Sequence, residues 1–584
     1  MDAGAILHIG EDRRIVLDAR YRWLSDLQRS VTERREAGEL AGGDDTYRFL
    51  RKILSDTSPE LQVEELLDTG SVLEVGDGVA VVSGLKSAGS QELVEFESGV
   101  FGLAFSLHRD KVGCILLGAE EDIREGSEVV RTGHLLKVPV GEMVAGRIVN
   151  SLGQPIDGKG PIAARTYAPV ERKAPGVIDR MPVSEPLHTG IKVLDSLVPL
   201  GRGQRELIIG DRKIGKTTAA VDTILSQKGG DVFCVYASIG QKSSSVARVV
   251  EVLTQYGAMD YTCVVVALPN EQPAFRHLTP YTACAIGEYF MDRGKHALVV
   301  YDDLSKHAYT YREVSALLKR PIGREAYPGD IFYVHSRLLE RAARMSDEHG
   351  GGSLTALPIV ETLAGDISAF IPTNVVSICD GQIFLDAGLF NEGFRPAMDV
   401  GLSVSRVGGS AQTKAMKQVA GRLRIDLAQY QEMAQFVKFG AEVDAATLGQ
   451  LARGERGREL LKQDQHAPMP GEHEVVVLFA VVNGFLDDIP TEDLPRLQAE
   501  LIRFCQLRHP QMLERLRQEK ALDRLLEDEL RQAVFAFKDS FAPAAEGGED
   551  ESDVEDVFEE TGEDRTAEDA APAEAVAAGT EEAP

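Results

Sequence analysis

The sequence predicts a multidomain α/β protein in which a small β-barrel, a domain with a mainly parallel sheet and an α-helical bundle follow one another. Three observations lead to this prediction. Apolar residues recur with a period of two from about Thr69, β-rich apolar runs alternate with helical patterns in the middle of the chain, and helical periodicity dominates beyond Gly421. The 584 residues allow three or four domains, at roughly 150 residues for each domain.

The composition excludes several classes of protein. The chain has 92 acidic residues against 63 Lys and Arg, a formal net charge of -29, which argues against a general nucleic-acid binder because such binding depends on cationic side chains. Its six cysteines include no C-x-x-C pair and predict neither a disulfide framework nor a zinc cluster. The longest wholly apolar run, residues 475–482, is far shorter than the ~20 residues of a membrane helix. We therefore expect a soluble chain that keeps its N-terminus.

Extensions are predicted at both ends of the chain, in residues 1–65 and 542–584. The first contains a helical stripe that could dock on a partner, formed by Leu17, Tyr21, Leu24, Leu27 and Val31. The second holds 16 acidic residues and a single basic one, Arg565, with very few apolar side chains. Burial cannot offset the ordering entropy of such a segment, so we predict a disordered acidic tail, for which a solubilising role is the simplest interpretation.

Residues 66–136 are predicted to form the β-barrel domain. Val72 and Val81 flank turn residues at 76–78, and strand-like runs follow at residues 93–96, 100–107 and 112–117. Short strands separated by Gly and Asp turns are typical of a small antiparallel barrel.

Residues 137–412 are predicted to form a mainly parallel sheet covered by helices, because apolar runs alternate there with helical patterns. The strands are expected at residues 206–209, 232–237, 263–268, 297–301, 354–360 and 375–379. Residues 413–541 are predicted to form a helical bundle. Its first stripe contains Leu423, Leu427, Tyr430 and Val437 with Gly440 as a stop, and a later stripe contains Leu522, Leu526, Leu530 and Val534.

The strongest chemical motif occupies residues 210–217, which match the pattern G-x-x-x-x-G-K-[ST]. A predicted strand precedes it and a helix predicted to end near Gly229 follows it, as a phosphate-binding loop requires. Backbone N–H groups of such a loop face phosphate oxygens, Lys216 neutralises β/γ-phosphate charge, and the Thr217 hydroxyl is a ligand for Mg²⁺. The candidate nucleotide-binding residues of this loop are Gly210, Asp211, Arg212, Lys213, Ile214, Gly215, Lys216 and Thr217.

A phosphate-binding loop of this kind needs an acidic residue at the end of a neighbouring strand. Asp302 and Asp303 follow the apolar run at residues 297–301. We expect Asp302 to lie beside Mg²⁺ through water, and Asp303 to cap the helix that begins near Leu304, because Asp is a favoured N-cap residue. The alternative is that both aspartates only cap this helix.

Several segments together resemble the α subunit of F-type ATP synthases. Besides the loop at 210–217, they are residues 138–141, 155–161, 301–306, 320–330, 403–406 and 462–465. The resemblance spans about residues 69–541 and implies a β-barrel crown, a RecA-like nucleotide-binding domain and a C-terminal helical domain. It also implies a ring of three α and three β subunits around a rotating γ stalk, with ATP or ADP and Mg²⁺ as ligands.

The resemblance makes Gln241 informative, because the catalytic sibling subunits have a glutamate at the matching position. A neutral amide is a poor base and cannot activate the attacking water as a carboxylate can. We therefore expect the chain's own site to hold nucleotide without appreciable hydrolysis. Without the resemblance, Gln241 would be an arbitrary polar loop residue.

The catalytic candidates are Arg406 and Ser403. Arg406 is similar to the arginine that α subunits extend towards the γ-phosphate in the neighbouring β site, where an arginine finger stabilises transition-state charge. Ser403 belongs to the same motif and is expected to shape that interface, whereas a solvated surface side chain is the alternative for Arg406. By the same resemblance, the residues expected to surround adenine are Phe390, Arg395, Pro396, Gln463 and Gln465.

Two departures from the family pattern concern the loop and the chain ends. Lys213 and Ile214 stand where α subunits commonly have Gln and Thr, and the first 65 residues and the acidic tail differ from the usual family ends. Lys213 could tighten triphosphate binding or relax its Mg²⁺ dependence, or it could point into solvent. Contacts with the peripheral stalk are left open, and the divergence would suit the alternative N-ATPase type found in some bacteria.

These observations predict a non-catalytic, nucleotide-binding, regulatory subunit that couples ATP synthesis or hydrolysis to proton or sodium transport. The alternative is a self-sufficient hexameric export ATPase of the flagellar or secretion type, which would need a carboxylate at Gln241. A Rho- or RecA-like motor would need a basic, aromatic channel for nucleic acid, which the barrel region does not offer. We expect the chain at the cytoplasmic face of a bacterial inner membrane, attached through its partners.

Overall fold

The computed structural model describes residues 8–9, 15–16, 44–57, 68–438 and 445–541. The predicted stripe at residues 17–31, the stop at Gly440 and the acidic tail lie outside these ranges. Before the barrel, the described residues form two short paired strands, His8–Ile9 (β1) and Ile15–Val16 (β2), and a helix, Asp44–Thr57 (α1). In the part of the chain that is described, no helix combines the length and the apolar character needed to cross a membrane.

A closed barrel follows, as the sequence predicted. Its strands are Thr69–Gly76 (β3), Val79–Gly84 (β4), Glu92–Phe96 (β5), Phe101–Leu107 (β6), Lys111–Leu116 (β7) and Glu128–Leu135 (β8). Around the barrel the order is β3–β4–β7–β6–β5–β8. Asp77 and Gly78 have left-handed φ values of 53° and 78°. These values suit the tight hairpin between β3 and β4, in which Gly76 pairs with Val79.

The central sheet has eight strands in the order Ile148–Asn150 (β10), Thr262–Ala267 (β16), Val232–Ile239 (β15), His296–Asp302 (β17), Ser353–Glu361 (β18), Glu206–Gly210 (β14), Gly381–Leu385 (β19) and Val404–Ser405 (β20). Of these neighbouring pairs, only the last is antiparallel. Five of the six predicted strands are confirmed within two residues at each end. The strands after the barrel are Lys137–Val140 (β9), Ile148–Asn150 (β10), Thr166–Pro169 (β11), Pro186–Leu187 (β12), Leu200–Gly201 (β13), Glu206–Gly210 (β14), Val232–Ile239 (β15), Thr262–Ala267 (β16), His296–Asp302 (β17), Ser353–Glu361 (β18), Gly381–Leu385 (β19) and Val404–Ser405 (β20).

Helices cover both faces of this sheet. Alternate residues of a strand belong to different cores: Cys234 and Tyr236 of β15 lie in one apolar cluster, and Val235 and Ala237 lie in the other. Burial on both faces explains the continuous apolar runs of these strands. The helices of this domain are Lys192–Leu197 (α2), Lys216–Leu225 (α3), Ser243–Gln255 (α4), Pro273–Met291 (α5), Leu304–Leu317 (α6), Ile331–Leu339 (α7), Phe370–Ile378 (α8) and Ala387–Asn391 (α9).

The strand predicted at residues 375–379 is wrong, because this segment belongs to helix α8. Ile371, Val375 and Ile378 are buried at helical spacing, so the β-branched residues pack one face of a short helix against the sheet. The sixth strand is instead β19, which pairs in parallel with β14. The helix after the phosphate-binding loop also ends at Leu225, earlier than the predicted end near Gly229.

The C-terminal helical domain is confirmed. Its helices are Lys414–Lys438 (α10), Ala445–Leu460 (α11), Gly471–Val482 (α12), Leu494–Arg508 (α13), Pro510–Glu519 (α14) and Arg524–Ser540 (α15). Leu526, Leu530 and Val534 form the buried face of α15, and Asp523 caps it by accepting the N–H of Leu526 at 2.7 Å. Residues 474–482 of α12 are all buried, which accounts for the long apolar run in the sequence.

Candidate nucleotide-binding site

The loop at residues 210–217 connects strand β14 to helix α3, which begins at Lys216. Its backbone has φ values of 155° at Gly210, 63° at Lys213 and 100° at Gly215. A Cβ atom on Gly210 would lie 2.5 Å from the carbonyl oxygen of Leu385, so only glycine fits at this position. A loop of this shape in front of a helix N-terminus directs backbone N–H groups towards phosphate oxygens.

The two polar residues that begin helix α3 are held by groups of the same chain. The buried ammonium of Lys216 donates to the carbonyl oxygens of Gly210 at 2.8 Å and Asp211 at 2.5 Å. Burial lowers the pKa of Lys216, although nearby carboxylates oppose this effect. The Thr217 hydroxyl donates to a carboxylate oxygen of Asp302 at 2.7 Å. An ammonium that could bind phosphate and two oxygen atoms that could bind a metal ion are therefore adjacent.

Asp302 is buried at the end of strand β17 and accepts hydrogen bonds on both carboxylate oxygens. Besides the Thr217 hydroxyl, the Tyr236 hydroxyl donates to it at 2.7 Å, and the Gln241 amide donates at 2.7 Å. Burial raises the pKa of Tyr236 well above its usual range, so this side chain remains a hydroxyl donor. These donors fix the orientation of a carboxylate suited to bind a metal ion or its water.

Asp303 caps helix α6, as predicted. Its carboxylate accepts the N–H of Lys306 at 2.7 Å and pairs with the Lys306 ammonium at 2.8 Å. Burial raises the pKa of Asp303 to about 6, with Lys306 opposing the shift and Asp302 adding to it. The two aspartates thus differ in role, because one closes a helix end and the other faces the phosphate-binding loop.

Gln241 follows the carboxyl end of strand β15. Because β15 and β17 are parallel neighbours, this end lies beside the end of β17, where Asp302 is found. Its Nε2 atom donates to Asp302 at 2.7 Å and to Asp303 at 3.3 Å. A glutamate at this position would face two other carboxylates. The amide instead binds both of them, and an amide cannot take a proton from an attacking water.

A cavity of about 630 Å³ extends from the loop to the C-terminal helical domain. All five residues expected around adenine line it, namely Phe390, Arg395, Pro396, Gln463 and Gln465. The guanidinium of Arg395 lies over the ring of Phe390, 4.9 Å from its centroid. The cavity therefore combines the phosphate-binding loop with a wall that contains an aromatic ring, which suits a nucleotide base.

Gln463 supports this wall through the backbone. Its side-chain oxygen accepts the N–H of Lys192 at 3.1 Å, and its amide donates to the carbonyls of Gly190 and Ala467, both at 2.7 Å. Its own N–H donates to the carbonyl of Arg395 at 2.8 Å. The side chain therefore joins the nucleotide-binding domain to the segment after helix α11.

The remaining loop residues divide into three kinds. Asp211 accepts the Thr362 hydroxyl at 2.6 Å, and Arg212 pairs with Glu361 at 2.9 Å, so both fasten the loop to the end of strand β18. Ile214 is buried beneath the loop. Lys213 is exposed at the rim of the cavity and can reach either a phosphate or solvent.

Arg406 lies elsewhere, on a second cavity of about 390 Å³ that shares no lining residue with the first. We call its four arginines, Arg180, Arg205, Arg344 and Arg406, the arginine face. Three are paired: Arg180 with Glu340 at 3.1 Å, Arg205 with Asp380 at 2.8 Å, and Arg344 with Glu185 at 2.7 Å. Within the described ranges, the exposed Arg406 side chain makes no hydrogen bond or ion pair.

Ser403 is buried near this face rather than exposed on it. Its hydroxyl accepts the N–H of Phe384 at 2.9 Å, which fastens the segment before β20 to strand β19. The N–H of Arg406 donates to the carbonyl of Asp380 at 2.8 Å. Ser403 therefore holds the backbone that carries Arg406, and its hydroxyl faces the interior of its own subunit.

Sequence reasoning missed several residues that shape these sites. Tyr236 lies within an apolar strand, so its contact with Asp302 had no local signal. Asp222 and His466, whose side chains meet at 2.9 Å on the cavity wall, are separated by more than two hundred residues. Only the alternation within β15, which places Tyr236 on one sheet face, offered a usable indication.

Three family models match the sequence. They are the nucleotide-binding domain of the ATP synthase alpha/beta family at residues 190–405, the C-terminal domain of the ATP synthase alpha/beta chain at residues 412–537, and the beta-barrel domain of the ATP synthase alpha/beta family at residues 68–133. The sequence is also 54% identical over 500 residues to the ATP synthase subunit alpha of Aquifex aeolicus (strain VF5), and the match includes 86% of this protein and 99% of the relative.

The fold, the phosphate-binding loop and these matches define a nucleotide-binding protein, and the chain belongs to the ATP synthase alpha/beta family. Within that family it is of the alpha-subunit type of the F-type ATP synthase. Gln241 agrees with this placement, since a carboxylate is expected at this position in catalytic relatives and export ATPases. The export ATPase is therefore not favoured.

Proposed function

We propose that the chain acts in a rotary ATP synthase as a non-catalytic, nucleotide-binding subunit that completes the catalytic sites of neighbouring beta subunits. The observation that carries this proposal is the contact of the Gln241 amide with Asp302 at 2.7 Å. The phosphate-binding loop and Lys216 are in place, but the group beside the Asp302 carboxylate is the Gln241 amide, which donates a hydrogen bond. Such a site retains ATP or ADP and lacks a base for hydrolysis.

Mg²⁺ fits the oxygen ligands beside the loop. The Thr217 hydroxyl and the Asp302 carboxylate are hard oxygen donors, and Mg²⁺ is usually held by one or two such groups together with nucleotide phosphates and water. In this arrangement Thr217 would bind the ion and Asp302 would act through water. The ion would supply neutralisation of phosphate charge, while Lys216 and the loop hold the nucleotide in place.

Arg406 acts on a neighbouring subunit in this proposal. Because its guanidinium is exposed while three surrounding arginines are paired, it is available to a phosphate that another subunit presents. Arginine binds phosphoryl oxygens through a planar fork, which suits developing transition-state charge. Ser403 contributes by holding the backbone of this segment.

The partners follow from the same proposal. The relative from Aquifex aeolicus is named as a subunit of ATP synthase, so we place this chain in a multisubunit complex. Three copies would alternate with three beta subunits around a gamma stalk, with a peripheral stalk and membrane subunits beyond them. The complex would couple ATP synthesis or hydrolysis to proton or sodium transport at the cytoplasmic face of a bacterial inner membrane.

Calorimetry and phosphate release on the purified protein test the central part of this proposal. We expect Mg-ATP to bind at one site, with negligible release of phosphate. Lys216→Ala is the control, because it removes the cation that contacts the phosphates and should weaken Mg-ATP binding and remove any residual turnover. Multiple turnovers that are lost in Lys216→Ala would contradict a non-catalytic site and favour the export type of ATPase.

A further inference from the structure

A second group of ligand-type side chains lies where the nucleotide-binding domain meets the helical domain. His188 precedes helix α2, Asp195 lies within α2, and Glu474 lies in α12. One nitrogen or oxygen atom from each side chain lies within 4.8 Å of the others. None of these residues lines the nucleotide cavity or the arginine face.

The hydrogen bonds of His188 determine which ring nitrogen faces this group. Its Nε2 atom lies 2.9 Å from the carbonyl oxygen of Met469. A carbonyl only accepts, so Nε2 carries a proton. The Nδ1 atom lies 2.6 Å from a carboxylate oxygen of Asp195. In a neutral imidazole this would place two lone pairs against each other, so a proton must lie between them at this distance. A metal ion could replace that proton if the two atoms moved slightly apart. A histidine that binds a metal usually donates its other N–H to a carbonyl, as His188 does.

The buried carboxylate of Glu474 also needs a proton or a metal ion, for a separate reason. Its side chain is completely buried, and neither carboxylate oxygen has a hydrogen-bond donor among the described residues. It faces Asp195, which is itself an acceptor, so a hydrogen bond between the two needs an added proton. A buried carboxylate without a partner is strongly disfavoured. The buried ammonium of Lys192 is nearby, but it donates to the Leu460 carbonyl and, at 2.6 Å, to Gln498.

The group can therefore be satisfied in two ways with the same total charge, by two protons or by one divalent cation. Asp195 is fixed in place, because its oxygens accept the backbone N–H groups of Thr189 and Gly190 at 3.0 Å. His188 is partly exposed and offers a path for an ion. One imidazole and two carboxylates form a three-ligand set that suits Zn²⁺ and similar transition ions, with water in the remaining position.

We propose that His188, Asp195 and Glu474 form a divalent transition-metal site that joins helix α12 to the nucleotide-binding domain. The site is separate from the Mg²⁺ position at Thr217 and Asp302. It adjoins the wall of the base pocket through Met469, whose carbonyl accepts a hydrogen bond from His188 and whose N–H donates to the carbonyl of Gly190 at 2.9 Å. The same carbonyl accepts the amide of Gln463, which lines the pocket. The ion would connect residues 188–195 to Glu474, two segments that are distant in sequence.

Calorimetric titration of the full-length protein with Zn²⁺, without nucleotide, tests this site. We expect one ion to bind. Glu474→Gln and His188→Gln should each weaken binding by at least about 100-fold, because loss of a residue that only hydrogen-bonds to a metal ligand already costs about 10- to 100-fold. Zn²⁺ should also raise the melting temperature of the wild-type protein and of neither variant. Glu474→Gln keeps the shape of the side chain, and His188→Gln changes a partly exposed residue.

Two controls distinguish this site from other binding. Glu472→Gln alters a carboxylate in the first turn of the same helix, and Thr217→Ala alters the proposed Mg²⁺ site. Both should bind Zn²⁺ as the wild type does. Equal Zn²⁺ affinity in the wild type, Glu474→Gln and His188→Gln would overturn the proposal, and so would absence of a thermal shift in the wild type. Either result would mean that protons alone occupy the group.

Discussion

The nucleotide pocket and the arginine face differ in whether their charged side chains have partners within the same subunit. In the pocket, Lys216 donates to loop carbonyls and Asp302 accepts hydrogen bonds from Thr217, Tyr236 and Gln241. On the arginine face, Arg406 has no such partner among the described residues. The charges of the pocket are paired within the subunit itself, whereas Arg406 is free for the contact with a neighbouring subunit that we propose.

Burial explains this difference. The ammonium of Lys216 lies out of solvent, where an unpaired charge would be costly, so the loop must supply acceptors when phosphate does not. Arg406 is exposed and hydrated, so it can remain unpaired at little cost. In the proposed complex, a neighbouring subunit that excluded water from this face would strengthen the interaction of this guanidinium with a phosphoryl group.

The largest effect is expected for Arg406→Ala in the assembled complex. Multisite ATP turnover should fall by about 10³-fold or more, because the transition state loses an arginine that the ground state hardly uses. Steady-state ATPase activity and nucleotide occupancy should be measured together, with assembly checked by gel filtration. Arg406→Lys should rescue poorly, because an ammonium lacks the planar fork.

Arg344→Ala is the matched control, since Arg344 lines the same cavity but pairs with Glu185. Its turnover should stay within a few fold of the wild type, as expected for a partly exposed ion pair. If Arg406→Ala and Arg344→Ala lose activity equally, the contrast between a free and a paired arginine does not govern catalysis.

Lys216→Ala should weaken Mg-ATP binding to the isolated protein by about 10- to 100-fold, the value of a charged hydrogen bond of about 1.5–3 kcal/mol. Calorimetry measures this directly. Lys213→Ala, in the same loop, should reduce Mg-ATP affinity less, because the Lys213 ammonium is exposed and screened by water. An equal loss in the two variants would show that Lys213 also grips the phosphates.

Gln241→Glu should destabilise the isolated protein when Mg²⁺ is absent, by about 1–3 kcal/mol, because a donor to Asp302 becomes a third carboxylate. Mg²⁺ with ATP should recover most of this loss. Chemical unfolding with and without the ion measures both effects. Gln241→Ala removes the hydrogen bond without adding charge, so it should not show the recovery by Mg²⁺. A Glu variant as stable as the wild type without Mg²⁺ would argue against a crowded acidic site.

The smallest effect is expected for Phe390→Ala, which removes the aromatic wall of the base pocket. ATP affinity should fall by about 5- to 10-fold, since an aromatic contact contributes roughly 1 kcal/mol. Affinity for inorganic tripolyphosphate should not change, because the loop alone holds it. Phe535→Ala, an exposed phenylalanine of helix α15, is the control. A matching loss for tripolyphosphate would place Phe390 outside the base pocket.

Much of the fold could be predicted from the sequence, because strands buried on both faces appear as continuous apolar runs and glycine marks the phosphate-binding loop. The same property produced the error at residues 375–379, since a short β-branched run can also pack one helix face. The importance of Gln241 came from the resemblance to a family, and the structure adds its contacts with two aspartates.

Residues that meet only through the fold could not be predicted. His188, Asp195 and Glu474 come from a loop and two helices, and no spacing in the sequence relates Glu474 to the other two. The pairing of Arg205 with Asp380 likewise depends on strands β14 and β19 lying side by side. For this reason the sequence could identify Arg406 as an arginine of interest but could not show that its neighbours are neutralised.

The walls of the base pocket come from two parts of the molecule, since Phe390 belongs to the sheet domain and Gln465 follows helix α11 of the helical domain. Thermodynamic linkage then connects occupancy to the integrity of both. A ligand at 100 times its dissociation constant adds about 2.7 kcal/mol to the free energy of unfolding. Because separation of the helical domain would remove one wall of the pocket, bound nucleotide would raise the free energy needed to separate the two domains.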